Sequence, residues 1–282
     1  QMCIRDRFNM TNQLFINNEF IESQSKETMD VINPATGEAF DTITLATEEE
    51  VNDAIEKSQQ AQLEWERVPQ PTRAEHVKLL IPLLEKNRDE IAQLYVKEQG
   101  KTLTQAYGEI DKSISFIDYM TSLSMSDKGR VLQNSIANET IQIINKPIGV
   151  TAGIVPWNAP ILVLMRKVIP AIVTGCSVVI KPSEETTLLT LRLAELFRAS
   201  TIPAGLIQIV PGTGETVGTQ LASHKDIQLI SLTGSMRAGK SVYENAAQTV
   251  KKVNLELGGN APVIVTSNAD LDKAVNYICL LY

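Results

Sequence analysis

Five short segments of this 282-residue sequence set chemistry-bearing side chains beside turn residues. Pro156-Trp157-Asn158-Ala159-Pro160 holds one asparagine between two prolines. The prolines fix the local path, and an amide held in place can donate to a developing oxyanion. Lys181-Pro182-Ser183-Glu184 carries a lysine and a glutamate that can bracket ribose hydroxyls. A carboxylate there repels a 2′-phosphate and so favours NAD over NADP. Gly212-x-Gly214-x-x-x-Gly218 has the spacing of a dinucleotide fingerprint with its third glycine one residue late. Gly234-Ser235-x-x-x-Gly239 offers a hydroxyl and backbone amides suited to a pyrophosphate. Glu256-Leu257-Gly258-Gly259 sets a carboxylate beside two glycines. If partly buried, that glutamate has a raised pKa and suits a general base. Taken singly, each segment also has a structural reading: a solvated loop, a Gly-Ser helix cap, or a glutamate that only supports the backbone.

Elements must bring these segments together. From Gly149 onward short β-rich runs alternate with helices. Strands are expected at 150–155, 177–181, 206–210, 227–232, 250–256 and 262–265, and helices at 161–174, 187–199, 215–222 and 237–247. Repeated βα units imply a parallel sheet covered on both faces, with ligands at the carboxyl ends of its strands. All five segments fall on that rim. Upstream, Leu14–Ile21 reads as a hairpin around Asn17-Asn18. Thr47-x-x-Glu50 is a capping box that opens a helix toward Trp65. Further helices are expected from about Pro71 to Gln99, stopped by Gly100, and from about Thr102 to Ser124. The fold class is therefore α/β, a Rossmann-like parallel sheet with additional N-terminal helices.

Composition narrows the function. The net charge of −7 argues against nucleic acid and anionic membranes as partners. No apolar run is long enough for a transmembrane helix. Three scattered cysteines and two histidines, His76 and His224, provide no metal-ligand spacing, and both histidines read as solvated surface groups. A reducing cytoplasm fits this cysteine usage.

In order, PWN, KPSE, TGS and ELGG, with Asn158, Lys181, Gly234 and Glu256 separated by 23, 53 and 22 residues, resemble the aldehyde dehydrogenase superfamily. INNEF, NPATGE, GETVG, ELGGNAP and NADLDKAV match as well, so the resemblance runs from Leu14 to about Tyr277. It implies oxidation of an aldehyde to a carboxylic acid through a cysteine thiohemiacetal and thioester, with NAD as cofactor. By resemblance, Asn158 is the oxyanion donor, Glu256 the general base, and Lys167 helps the proton relay. Val155, Pro156, Trp157, Lys181, Ser183, Glu184, Gly212, Gly214, Thr233, Gly234, Ser235, Gly239 and Leu257 match cofactor positions. FIDYM at 116–120, PIGVTAGIVPWNAP and Met165-Arg166-Lys167 look most like the lactaldehyde/glycolaldehyde branch. Arg166 would then meet an oxygen of a small 2-hydroxyaldehyde. A succinate-semialdehyde-type enzyme is the alternative, and a non-catalytic dinucleotide-binding module is the other.

The resemblance also sets expectations for the ends. Residues 1–9 read as a non-native remnant, 10–277 as the NAD-binding domain, and 278–282 as a non-native end. An extended oligomerisation arm is expected at about 131–148, serving a homodimer or homotetramer in the full-length protein. The family's nucleophile should lie a few tens of residues beyond Glu256 in a glycine-glutamine turn. Neither Cys176 nor Cys279 has that context, so a truncated chain without its catalytic domain, inactive alone, is expected.

Overall fold

In the computed structural model, residues 13–126, 129–136 and 138–278 are described. The expectations for residues 1–9, for Cys279 and for the last four residues lie outside these. The chain begins with a hairpin, β1 (Gln13–Ile16) and β2 (Glu19–Glu22). Its turn residues Asn17 and Asn18 have φ of 55° and 65°, the left-handed values that a two-residue hairpin requires and asparagine tolerates. A second hairpin, β3 (Thr28–Asn33) and β4 (Glu38–Thr44), turns at Gly37.

Helix α1 (Glu48–Trp65) opens with the expected capping box: Glu50 N–H donates to Thr47, and Thr47 N–H to the Glu50 carboxylate. The helix expected at 71–99 is instead three: α2 (Gln70–Lys78), α3 (Leu80–Lys86) and α4 (Arg88–Gln99). Pro82 lacks an N–H and its ring would clash with the carbonyl four residues back, at Lys78, so the helix breaks there. Gly100, at φ 82°, ends α4 as expected. Helix α5 (Leu103–Leu123) follows, capped by Thr102.

After the exposed hairpin β5 (Arg130–Gln133) and β6 (Thr140–Ile143), the α/β core begins. It contains β7 (Val150–Ile154), α6 (Pro160–Thr174), β8 (Ser177–Lys181), α7 (Thr187–Ala199) and β9 (Ile207–Ile209). A π-helical turn at Gly214–Gly218 runs into α8 (Thr219–Ser223), replacing the regular helix expected at 215–222. Then come β10 (Leu229–Gly234), α9 (Met236–Ala247), β11 (Lys252–Leu257) and α10 (Leu271–Ile278).

The main sheet has the order β11-β10-β7-β8-β9-β1-β2. The five core strands are parallel, as expected. The N-terminal hairpin, however, joins antiparallel through Phe15 opposite Ile209 and covers the β9 edge. The sheet is therefore mixed rather than wholly parallel. Strands β7 and β8 are buried along their whole length, with helices on both faces. The run 262–265 is not a strand: Val263, Ile264 and Val265 are exposed and unpaired. No helix among the described residues is long and apolar enough to cross a membrane.

The histidines are not the solvated groups expected. His76 is half-buried edge-on against Trp65 and hydrogen-bonded to Thr201 Oγ1 at 2.7 Å. His224 is also half-buried, and burial lowers its pKa.

Candidate functional site

The carboxyl ends of β7, β8, β10 and β11 lie side by side, with the loop after β9 next to β8. The rim brings Asn158, Lys181, Gly212, Gly234 and Glu256 onto one edge of the sheet. Lys167 reaches it from below. It sits two turns into α6 and crosses to β10, where Nζ donates to Ser231 Oγ at 3.0 Å and Thr233 Oγ1 at 3.2 Å. Gly153 on β7 makes the crossing possible: a Cβ there would stand 3.0 Å from Lys167 Cδ and 2.7 Å from Ile180 Cδ1. Burial pushes the Lys167 amine down to about 8, opposed by the negative charge of Glu256. Thr233 pairs in register with Glu256 of β11, which explains why the lysine feels that carboxylate.

Glu256 itself is exposed on the edge strand. The condition of partial burial is not met, because β11 is an edge strand and no neighbour covers its outer side among the described residues. Arg166, one residue before Lys167, is exposed on the opposite side of α6 from the core. Trp157 and Asn158 are exposed in the turn that leads into α6.

At the end of β8 the side chains are already engaged. Lys181 is 2% exposed, and its three N–H bonds go to Pro182 O at 2.8 Å, Gly212 O at 2.7 Å and Glu184 Oε2 at 3.2 Å. A lysine has three donors and all are used. Lys181 therefore ties the β8 and β9 loops together, rather than opening its ammonium to a pocket; burial lowers its pKa. Glu184 accepts from Gly214 N–H at 3.0 Å and keeps about a quarter of its side chain exposed. Ser183 is buried and caps the following 3₁₀ turn. Val155 is buried as well, and its N–H donates to Lys181 O.

A cavity of about 400 Å³ opens between the Gly214–Ser223 segment and α9. Gly214 and Gly218 line one side, Ser235 and Ala238 the other, with Ile154 and Leu232 at its floor. Two further glycines allow close packing in the segments next to it. A Cβ on Gly212 would lie 2.2 Å from Val217 Cγ2, and one on Gly239 would lie 2.7 Å from Leu257 Cδ2. At Gly212 a side chain would have to displace Val217, whereas at Gly239 only the end of the Leu257 side chain would have to move. Ser235 Oγ accepts from Ala238 N–H, so the hydroxyl caps α9, whose first turn lines the cavity through Ser235, Arg237 and Ala238. A mainly apolar slot beside a helix N-terminus and a carboxylate fits an adenosine and its diphosphate. Arg237, Ser241 and Asn245 also line it, and the sequence reading passed over them. Their helical spacing along α9 was the available signal.

Among the described residues the single cysteine is Cys176, buried at the amino end of β8 and so at the opposite edge of the sheet. The aldehyde dehydrogenase family model matches residues 20–280. The chain belongs to that family. Relatives include succinate-semialdehyde dehydrogenase [NADP(+)] of Escherichia coli, 37% identical over 274 residues, covering 97% of this chain and 57% of that protein. Among solved structures, lactaldehyde dehydrogenase from Escherichia coli superposes with a TM-score of 0.92 at 36% identity, over 95% of this chain and 56% of that one. A point mutant of betaine aldehyde dehydrogenase from Staphylococcus aureus, in complex with NAD+, gives 0.91 at 35% identity, over 94% and 55%. The chain spans a little over half the length of the curated relatives it matches.

Proposed function

We propose that this chain forms the cofactor-binding part of an NAD-dependent aldehyde dehydrogenase. The reaction of the whole protein converts an aldehyde, NAD+ and water into a carboxylic acid, NADH and a proton. The observation that carries this reading is the rim itself. An exposed asparagine amide, an exposed carboxylate and a half-buried amine share one rim of the sheet with the cavity at the start of α9.

Asn158 is positioned to donate its side-chain amide to the oxygen that gains charge as the carbonyl is attacked. Glu256 removes the proton from the attacking water. Lys167, with its amine at about 8, exchanges protons near neutrality with groups held at Thr233 and Glu256. Ser235, Gly234, Gly214 and Glu184 are the residues placed to hold the cofactor, and bound NAD supplies the hydride acceptor. Glu184, clamped by Gly214 and Lys181, presents a fixed carboxylate that disfavours a 2′-phosphate. The nucleophile that the resemblance implies is not among the described residues.

For the substrate we infer a small 2-hydroxyaldehyde, lactaldehyde or glycolaldehyde. The exposed Arg166 beside Lys167 supports it, as a donor for a hydroxyl oxygen. Arg166 also suits the carboxylate of a semialdehyde, and the 37% identity to a succinate-semialdehyde dehydrogenase favours that second reading. The hairpin β5–β6, exposed throughout with Val131, Leu132, Ile141 and Ile143 uncovered, supports a role in pairing with another subunit. The test is kcat/KM of the whole protein on glycolaldehyde, lactaldehyde, succinate semialdehyde and betaine aldehyde. A preference for either hydroxyaldehyde, lost in Arg166→Ala, is expected. Preference for succinate semialdehyde moves the assignment to the second reading, and no turnover of any aldehyde removes the proposal.

A further inference from the structure

The turn that carries Asn158 has an unusual way of ending. Helix α6 begins with Ala159 at its N-cap, and no side chain of its own segment caps it. An alanine offers no acceptor to the free first-turn amides. The acceptor comes instead from α5. Glu109 is 6% exposed, and its Oε1 accepts from Ile161 N–H at 3.0 Å and Leu162 N–H at 3.1 Å. These are the two amides that a capping side chain normally serves. The other oxygen, Oε2, accepts from Tyr95 Oη at 2.6 Å and Lys101 Nζ at 2.7 Å. Lys101 completes the circuit: Nζ also donates to Tyr95 Oη at 2.7 Å and to the backbone carbonyl of Asn158 at 3.0 Å.

The consequence is a division of labour. Asparagine is itself a favoured capping residue, and one spent on the helix amides would have no amide left for a substrate oxygen. Here a carboxylate from another helix does the capping, and its negative charge at the helix N-terminus is favourable. The Asn158 side chain stays exposed while its backbone is gripped by an ammonium. We propose that Glu109 and Lys101 are positioning residues for Asn158, holding its turn so that the side-chain amide points at the substrate oxygen. This rests on the reading of Asn158 as the oxyanion donor. A displacement of about 1 Å at such a donor costs on the order of 10²-fold in rate, so a grip at the same residue has leverage.

The experiment uses the whole protein with Lys101→Met, Asn158→Ala and the double variant, plus Glu109→Gln and Glu109→Ala. Three readouts are taken: the rate of the first NADH burst, the NAD dissociation constant by calorimetry, and amide hydrogen exchange at Ile161 and Leu162. Lys101→Met is expected to slow the burst about ten- to a hundredfold and to leave NAD binding within about twofold. In the Asn158→Ala background the lysine change should add almost nothing, because its effect passes through the missing amide. Glu109→Ala should speed exchange at both amides, and Glu109→Gln, which keeps one acceptor oxygen, should restore most of the protection. A wild-type burst in Lys101→Met, or a full additive loss in the double variant, overturns the proposal while leaving Asn158 its role. A wild-type burst in Asn158→Ala instead removes the oxyanion reading itself. Lys101 is only partly buried, so its variant decides the matter even if the Glu109 variants do not fold.

Discussion

Replacing Lys167 with methionine should change how stability depends on pH. In the folded chain the Lys167 amine is held near 8, against 10.5 for an unhindered lysine, because burial between β7 and β10 strips water from its charged form. The unfolded chain therefore binds more protons than the folded one between pH 8 and 10.5. Stability rises with pH wherever that holds. This lysine's contribution is complete above about 10.5 and is lost as pH falls through 8. A displacement of roughly 2.5 units at about 1.36 kcal/mol each amounts to about 3 kcal/mol. Methionine matches the length of the stem and carries no charge, so its variant lacks this dependence. Urea denaturation of both proteins at pH 7, 8, 9 and 10 measures the difference directly. The wild type should gain on Lys167→Met by about 2.5 kcal/mol between pH 7 and pH 10, whatever offset the lost bonds to Ser231 and Thr233 produce at pH 7. Subtraction removes Lys251, also lowered to about 8 by burial, because it is present in both. Parallel stability curves would refute the claim that desolvation holds this amine near 8.

Other outcomes follow from the rim. Glu256→Gln in the whole protein should leave NAD binding intact and slow acyl-enzyme hydrolysis by about 10²–10⁴-fold, seen as a burst followed by a stalled steady state. Glu184→Gln should raise kcat/KM with NADP relative to NAD by roughly tenfold, equal to about 1.4 kcal/mol, in parallel assays with both cofactors. Gly212→Ala should cost about 1–3 kcal/mol in urea denaturation and weaken NAD binding by calorimetry, because its Cβ has no room beside Val217.

Local signals in the sequence reached far into the fold. The capping box at Thr47 and Glu50, the Asn17-Asn18 turn and the Gly100 stop all involve neighbours within four residues, so spacing reveals them. The five parallel strands were visible as apolar runs between turn residues. The same pattern misled at 262–265, where an apolar run has no strand to pair with among the described residues. A run of hydrophobic residues states that a segment needs covering, but says nothing of what covers it. Likewise the period across Pro71–Gln99 is helical throughout, and Pro82 is the signal for the first of its two breaks.

The rim residues could be named because each sits beside glycine or proline at a strand end. What holds them could not. Glu109 caps amides 52 and 53 residues away, and Glu98 caps Leu188 and Leu189 on α7 from 90 and 91 residues away. Glu98 is buried with its carboxyl pushed up to about 8 by desolvation, and the amides it serves follow directly on the turn that bears Ser183 and Glu184. In the sequence these two glutamates look like ordinary polar positions of amphipathic helices. In the structure they hold the starts of two of the helices that leave the rim, α6 and α7. The α4–α5 pair thus sets the geometry of both the Asn158 turn and the Glu184 turn. A change in how those helices pack would move Asn158 and Glu184 together, with no rim residue altered.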